Sequence, residues 1–386
     1  MKTTDMPVID LQGTPRERGL THGELLKPQI AEVLDYWLSD LGGYGQDASS
    51  SKRFDSAAYL EKLFSSTNYL AAIKQWSPHL LEEIKAIAEA SDQPFQNILG
   101  LNLMDEEWVF GLRNHLSKPN EKCTAFAMPP SPASSAFAGQ NMDICSWSEG
   151  CQTLFRIAPT NNSPEILTFA IAGNIGFNGI NAAGLGVTCN TLSQLEFSNN
   201  GLPVAFMVRL MLEQPSINGA IKVIQNMPHA SGQNYILSSA EEMHCYECSS
   251  KGPIPYAPQT FHQRIFHTNH PLVNKDYSSL KVLTEASTAN TECRLDSITK
   301  RLGDKNSLVT LDTIKAALSA HDNEKHPVSR SNTKEGSSIG YTAGSVIYEF
   351  TPQPRLHLAA GPPCKTDYSL FEFKATEHSA QKERCL

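Results

Sequence analysis

Between Arg113 and Cys123 the chain changes period. Before that point apolar residues recur every three or four positions, the spacing of helices packed by one face. In "RGLTHGELLKPQIAEVLDYWLSDL" they are Leu26, Ile30, Val33, Leu34, Trp37 and Leu38, with Pro28 restricted to a first turn or a kink. In "SPHLLEEIKAIAEAS" they are Leu80, Ile84, Ile87 and Ala88, after Ser77 as N-cap and Pro78 at the first helical position. After that point the apolar runs are short, β-branched or aromatic, and broken by Gly, Asn, Ser and Pro: "AFAGQNMDI", "TLFRIAP", "EILTFAIA", "GLGVTCNTL", "NYILSSA" and "RIFHTNH". "AGSVIYEFTPQPRLHLAAGPP" reads as a hairpin turning at "TPQP", and two helices, capped by Ser216 and Thr310, interrupt the series. A helical block followed by a strand-rich block specifies an α+β fold in which two sheets pack face to face under helices. Cys123 would then open the first strand.

The loops "GGYGQDASSSKRF" and "RNHLSKPNEK" and the frayed tail "KATEHSAQKERCL" punctuate this plan. With 40% hydrophobic and 19% charged residues in 386, the chain can bury a large core. Its formal charge of -8 argues against a nucleic-acid groove or an anionic membrane surface as partner. The opening "MKTTDMPVIDLQGTPRERG" has no apolar targeting segment, and nine scattered cysteines do not form a dense disulfide framework, so the expectation is a soluble cytoplasmic protein with reduced thiols.

The usual nucleotide, serine-hydrolase and zinc-protease motifs are absent from the sequence. Cys245 and Cys248 form a lone CxxC whose alternation puts the two thiols on opposite faces of a strand. His267 and His270 in "FHTNH" would suit a metal on a helix, but the run reads as a strand end, and no metal is assigned. Cys123 has two readings. It is a small hydrophobe entering a strand, or the chain is cut before it. A cysteine with a free α-amino group carries nucleophile and base in one residue, since an amine of pKa about 8 takes the thiol proton directly or through water.

"GTPRERGLTHGELL", "CTAFA", "GQNMDI", "GNIGFNGINAAGLGVTCNTL", "HTNH", "HPVSRS" and "YTAGSVIYEFTPQPRLHLAAGPPC" follow one another along residues 8–364. In that order they resemble the acyl-CoA:6-aminopenicillanate (isopenicillin N) acyltransferase family. These are autoproteolytic N-terminal-nucleophile hydrolases of peptidase C45 type, which also include the insect β-alanyl-amine hydrolases.

The resemblance implies a precursor that cuts its own Lys122/Cys123 bond. An α chain of residues 1–122 and a β chain of 123–386 would stay together in a four-layer αββα N-terminal-nucleophile hydrolase sandwich. It makes Cys123 the nucleophile, Asp143 the partner of its ammonium, Asn269 the oxyanion donor through its side-chain amide, and Arg330 the cation that favours the thiolate or holds a substrate carboxylate. Asn190 would bind substrate or satisfy a bend. The implied activity is amide hydrolysis or N-acyl transfer on a small molecule through a Cys123 acyl-enzyme, without a cofactor, with acyl-CoA as the co-substrate in one branch. Two positions depart from the family. Lys122 stands where a glycine commonly precedes the nucleophile, and Met142 where Trp is frequent. The first leaves a second reading open, an unprocessed and inactive member that serves as a binding or scaffold protein.

Overall fold

The short breaker-bounded runs after residue 121 become strands because each buries at least one face against a second sheet. A computed structural model describes residues 2–41, 54–114, 122–132, 134–258, 263–280, 285–304, 306–331 and 341–374. The predicted loop over 42–53, most of the loop before Cys123 and the tail lie outside the described residues.

The first sheet runs in the order β1 (Val8–Leu11), β4 (Gln152–Ile157), β5 (Ile166–Ile171), β6 (Asn178–Asn181), β7 (Gly186–Thr191), β8 (Gln233–Ser238), β9 (Met243–Ser249), β10 (Gly252–Pro255). The second runs β11 (Ile265–His267), β2 (Lys122–Met128), β3 (Ala136–Ile144), β12 (Tyr341–Phe350), β13 (Arg355–Ala359), β14 (Ser369–Glu372). Among the strand pairs of the described residues, only β1–β4 is parallel. β1 lies inside the block read as helical, so the strand holding Cys123 is not the first; four residues are too few to show a period. That strand begins at Lys122, whose register partner is Asp143.

Nine helices of the described residues lie on the side of the first sheet: α1 (Pro15–Leu25), α2 (Lys27–Asp40), α3 (Ser56–Ser66), α4 (Tyr69–Trp76), α5 (Pro78–Ala90), α6 (Phe95–Leu101), α7 (Met104–Arg113), α8 (Val204–Leu212) and α9 (Ile217–Asn226). Among them α8 packs on β6 and β7, and α9 on β8 and β10. α10 (Glu285–Leu302) and α11 (Leu311–Leu318) cover the second sheet, where Ile298, Leu302, Ile314 and Leu318 meet Phe126, Phe137 and Ile347. β2 touches β7 and β8 across the inner layer. Helix, sheet, sheet and helix thus stack as the four-layer αββα sandwich that was expected. No helix of the described residues is long and apolar enough to cross a membrane.

Local signals account for most of these elements. Pro28 sits in the first turn of α2, and Pro78 opens α5. Ser77 precedes Pro78 as predicted, but its hydroxyl donates back to Ile73 O rather than capping. Ser216 and Thr310 do cap, accepting from Gly219 N and Thr313 N. α8 escapes a periodic reading because eight of its nine residues are buried, leaving no polar stripe to mark a face. One of them, Arg209, reaches Glu83 on α5 at 2.9 Å, and Arg18 on α1 reaches the same carboxylate at 3.0 Å. Burial alone would raise that carboxyl; the two guanidinium groups outweigh it and hold Glu83 down at about 2.

Candidate active site

Side-chain alternation along β2 sends Ala125 and Ala127 into the inner layer, and Phe126 and Met128 toward α10 and α11. Cys123 follows the inner set. It is 2% exposed, its Sγ lies 3.5 Å from Met142 Sδ on the neighbouring strand, and it lines a cavity together with Asp105, Phe177, Thr191 and Val208. Met142, at the position where Trp is frequent, is part of that lining.

The backbone on either side of the Cys123 Cα is held by two side chains. Its N–H donates to Asn269 Oδ1 at 2.6 Å, and its carbonyl accepts from Arg294 Nη1 at 2.5 Å. Arg294 is fully buried on α10 and spends its fork on the same place: Nη1 also reaches Thr124 Oγ1 at 3.0 Å, Nη2 reaches Asn269 Oδ1 at 2.9 Å, and Nε reaches Asn290 Oδ1 at 3.0 Å. Burial lowers this guanidinium to about 10, against the pull of Asp143 and Cys123.

Asn269 follows β11 in a loop that Glu247 on β9 organises. The Glu247 carboxylate accepts the backbone N–H groups of Leu272, Val273 and Asn274 at 2.5, 3.0 and 2.6 Å, and pairs with His267 Nε2 at 2.9 Å. Burial opposes ionisation there, yet the His267 bond and these amides keep the carboxyl below its ordinary value. His267 Nε2 therefore points to Glu247, while His270 Nδ1 lies 3.0 Å from Thr291 Oγ1. The Asn269 side chain is engaged at both ends. Its Oδ1 takes the two donors just named, and its Nδ2 donates to Thr191 O at 3.1 Å. One Nδ2 hydrogen remains for an oxyanion.

Asp143 lies on the other face of β3 from Met142, and its Oδ1 accepts from Thr342 Oγ1 at 2.6 Å. The Thr342 hydroxyl in turn accepts from the Arg330 N–H at 2.9 Å, so Asp143 and the segment carrying Arg330 share one threonine. Arg330 is 7% exposed, and its Nη1 has no hydrogen-bond partner. Burial lowers its guanidinium, and the attraction of Asp143 opposes that. Four of the five predicted side chains, Cys123, Asp143, Asn269 and Arg330, thus converge through bonds or charge on one point. Asn190 does not join them. It is fully buried on β7, with Oδ1 accepting from Asn234 Nδ2 at 2.9 Å, and it is Cys189 and Thr191 on either side that line the cavity.

A family model described as acyl-coenzyme A:6-aminopenicillanic acid acyl-transferase matches residues 133–358. The chain belongs to that family. The acyl-coenzyme A:6-aminopenicillanic-acid-acyltransferase 40 kDa form of Emericella nidulans is 27% identical over 349 residues, covering 88% of this chain and 89% of that protein. Among solved structures, the Caenorhabditis elegans N-acylethanolamine-hydrolyzing acid amidase ortholog covers 58% of this chain and 92% of its own at 14% identity and a TM-score of 0.40. Penicillin V acylase from Agrobacterium tumefaciens covers 65% and 86% at 14% identity and a TM-score of 0.42.

As a member of the acyl-transferase family, the chain is an amide hydrolase or acyltransferase. Arg294, which holds the Cys123 carbonyl, and Asp105, which lines the cavity, were not visible in the sequence. Arg294 lies in "TANTECRLDSI", a polar helical stretch with no signal beyond an Asn four residues earlier. Asp105 begins the acidic run of "MDEEW", which composition alone assigns to a solvated first turn. The structure buries that whole turn.

Proposed function

We propose that this chain is a self-processing cysteine amidohydrolase or N-acyltransferase whose nucleophile is Cys123. The observation that carries the reading is the Cys123 backbone: a buried thiol at a cavity, with its N–H on Asn269 Oδ1 at 2.6 Å and its carbonyl on Arg294. In processing, the Cys123 Sγ attacks the Lys122 carbonyl carbon, the C–N bond breaks as the nitrogen takes a proton, and water hydrolyses the resulting thioester. Lys122 leaves as a carboxylate and Cys123 keeps a free amine. The cut creates the new ammonium one residue along from the register position opposite Asp143.

In turnover the amine takes the thiol proton, and the thiolate attacks the acyl carbonyl. The remaining Asn269 Nδ2 hydrogen meets the oxyanion. The ammonium then protonates the leaving amine, an acyl-enzyme is left on Sγ, and water or a second amine takes the acyl group. Asp143 steadies the ammonium, and the buried Arg330 charge favours the thiolate. The scaffold reading rests on Lys122, which stands where a glycine commonly precedes the nucleophile.

Mixing the protein with N-acyl amides and acyl-CoA thioesters, followed by acid quench and mass measurement, tests the proposal. An acyl increment on the fragment that begins at Cys123, absent from Cys123→Ala, is expected. No increment with any donor would favour the scaffold.

A further inference from the structure

Asp105 stands at the start of α7, and it is the one acidic or basic side chain lining the cavity that holds Cys123. Its Oδ2 accepts from Thr191 Oγ1 at 2.8 Å and from Gln233 Nε2 at 2.5 Å, while Oδ1 takes no hydrogen bond from a described residue. Glu106 follows, fully buried; its Oε1 accepts from Ser231 Oγ at 2.6 Å and Val204 N at 3.1 Å, and its Oε2 has no partner. Neither carboxyl has a cation among the influences on its ionisation. Burial raises both carboxyls: Asp105 is pushed up against the opposing bonds of Thr191 and Gln233, and Glu106, with Asp105 beside it, goes to about 8. Glu83, by contrast, has two arginines as its countercharge. A buried carboxylate without one is costly, and here the missing partner faces empty space beside the nucleophile.

We infer that Asp105 is a specificity-determining residue that receives a substrate ammonium group, so that the preferred amides or acyl donors of this enzyme are cationic. The inference rests on the proposed chemistry at Cys123 and names its substrate class. The aliphatic and aromatic walls, Phe177 and Val208 among them, take the chain that separates the ammonium from the scissile carbonyl. The thread from Asp105 through Thr191 to Asn269 ties this charge to the catalytic end. Thr191 donates its hydroxyl to Asp105 and accepts Asn269 Nδ2 on its carbonyl.

Two matched pairs of amides test this and locate the cation. On the acyl side, 4-aminobutanoyl p-nitroanilide is compared with pentanoyl p-nitroanilide; on the amine side, N-(2-aminoethyl)hexanamide with N-propylhexanamide. The wild-type protein should prefer the cationic member of one pair by at least about tenfold in kcat/KM, the scale of one good buried charge pair. In Asp105→Asn that ratio should collapse toward unity, mainly through KM. A purely structural Asp105 would lower both members alike and leave the ratio unchanged, which would overturn the inference, as would equal wild-type rates within both pairs. Binding keeps it separable from the chemistry. Pentylammonium should raise the melting temperature of Cys123→Ala and not of the Cys123→Ala, Asp105→Asn double variant, with pentanol doing neither. That result with no turnover of any amide would sustain the ammonium site and sink the proposed chemistry; no ammonium effect would sink the site.

Discussion

Arg294 uses four of its five N–H donors, on Cys123 O, Thr124 Oγ1, Asn269 Oδ1 and Asn290 Oδ1. A lysine would keep the charge but present a point in place of a fork. Arg294→Lys therefore leaves Cys123 O or Asn269 Oδ1 short of a donor, an error worth about 1–3 kcal/mol when buried. Self-cleavage should slow by at least about tenfold, read as accumulated precursor on a denaturing gel; wild-type cleavage rates would refute the positioning role. Cys123, Asp143, Asn269 and Arg330 were legible because each sits in a short motif whose order along the chain is specific. Arg294 was not. Its meaning lies in contacts made 171 positions away along the chain, and its local neighbours describe an ordinary helix. Of the two roles the sequence left open for Asn190, its placement favours the structural one, for its Oδ1 accepts from Asn234 Nδ2 while its neighbours Cys189 and Thr191 line the cavity.

At the scale of elements, α7 is the unusual one, a helix whose first turn buries three consecutive carboxyls. Glu107 accepts from Tyr59 Oη at 2.5 Å, and burial raises its carboxyl to about 7, with Asp40 adding to the rise and Tyr59 opposing it. Its ordinary value is 4.5. Below that both folded and unfolded chains hold the proton; between the two values only the fold does, so stability falls as pH rises and levels off above about 7. Glu107→Gln removes the titration and keeps an acceptor for Tyr59. Urea midpoints should show the variant gaining on the wild type between pH 5 and 8, by up to about 3 kcal/mol; parallel pH profiles would contradict the assignment. The strands were readable as short apolar, β-branched or aromatic runs between breakers, and two of the helices from their caps Ser216 and Thr310. α8 and α10 were missed for opposite reasons, α8 because nearly all of it is buried and α10 because its stretch is mostly polar.

For the whole molecule, the segment before Cys123 is part of the sandwich. β1 adds to the edge of the first sheet beside β4, Glu83 binds Arg209, His22 Nε2 accepts from Gly173 N at 2.9 Å, and Thr3 Oγ1 donates to Asp367 O at 2.6 Å. A cut at Lys122/Cys123 breaks none of these. After cleavage the two chains should elute together at the size of the uncut protein and separate only in denaturant; spontaneous separation in native buffer would show that the cut disrupts the fold. The layer plan followed from the change of period at Cys123, whereas the pairing of β1 with β4 depends on closure between distant segments and has no local signature.

The most direct test of the account is the intact mass of wild-type and Cys123→Ala protein under denaturing conditions. The account predicts two wild-type masses, the larger beginning at Cys123 and their sum exceeding the precursor by one water, with a single full-length mass for the alanine variant. A single full-length mass from aged wild-type protein, or two chains from Cys123→Ala, would contradict it.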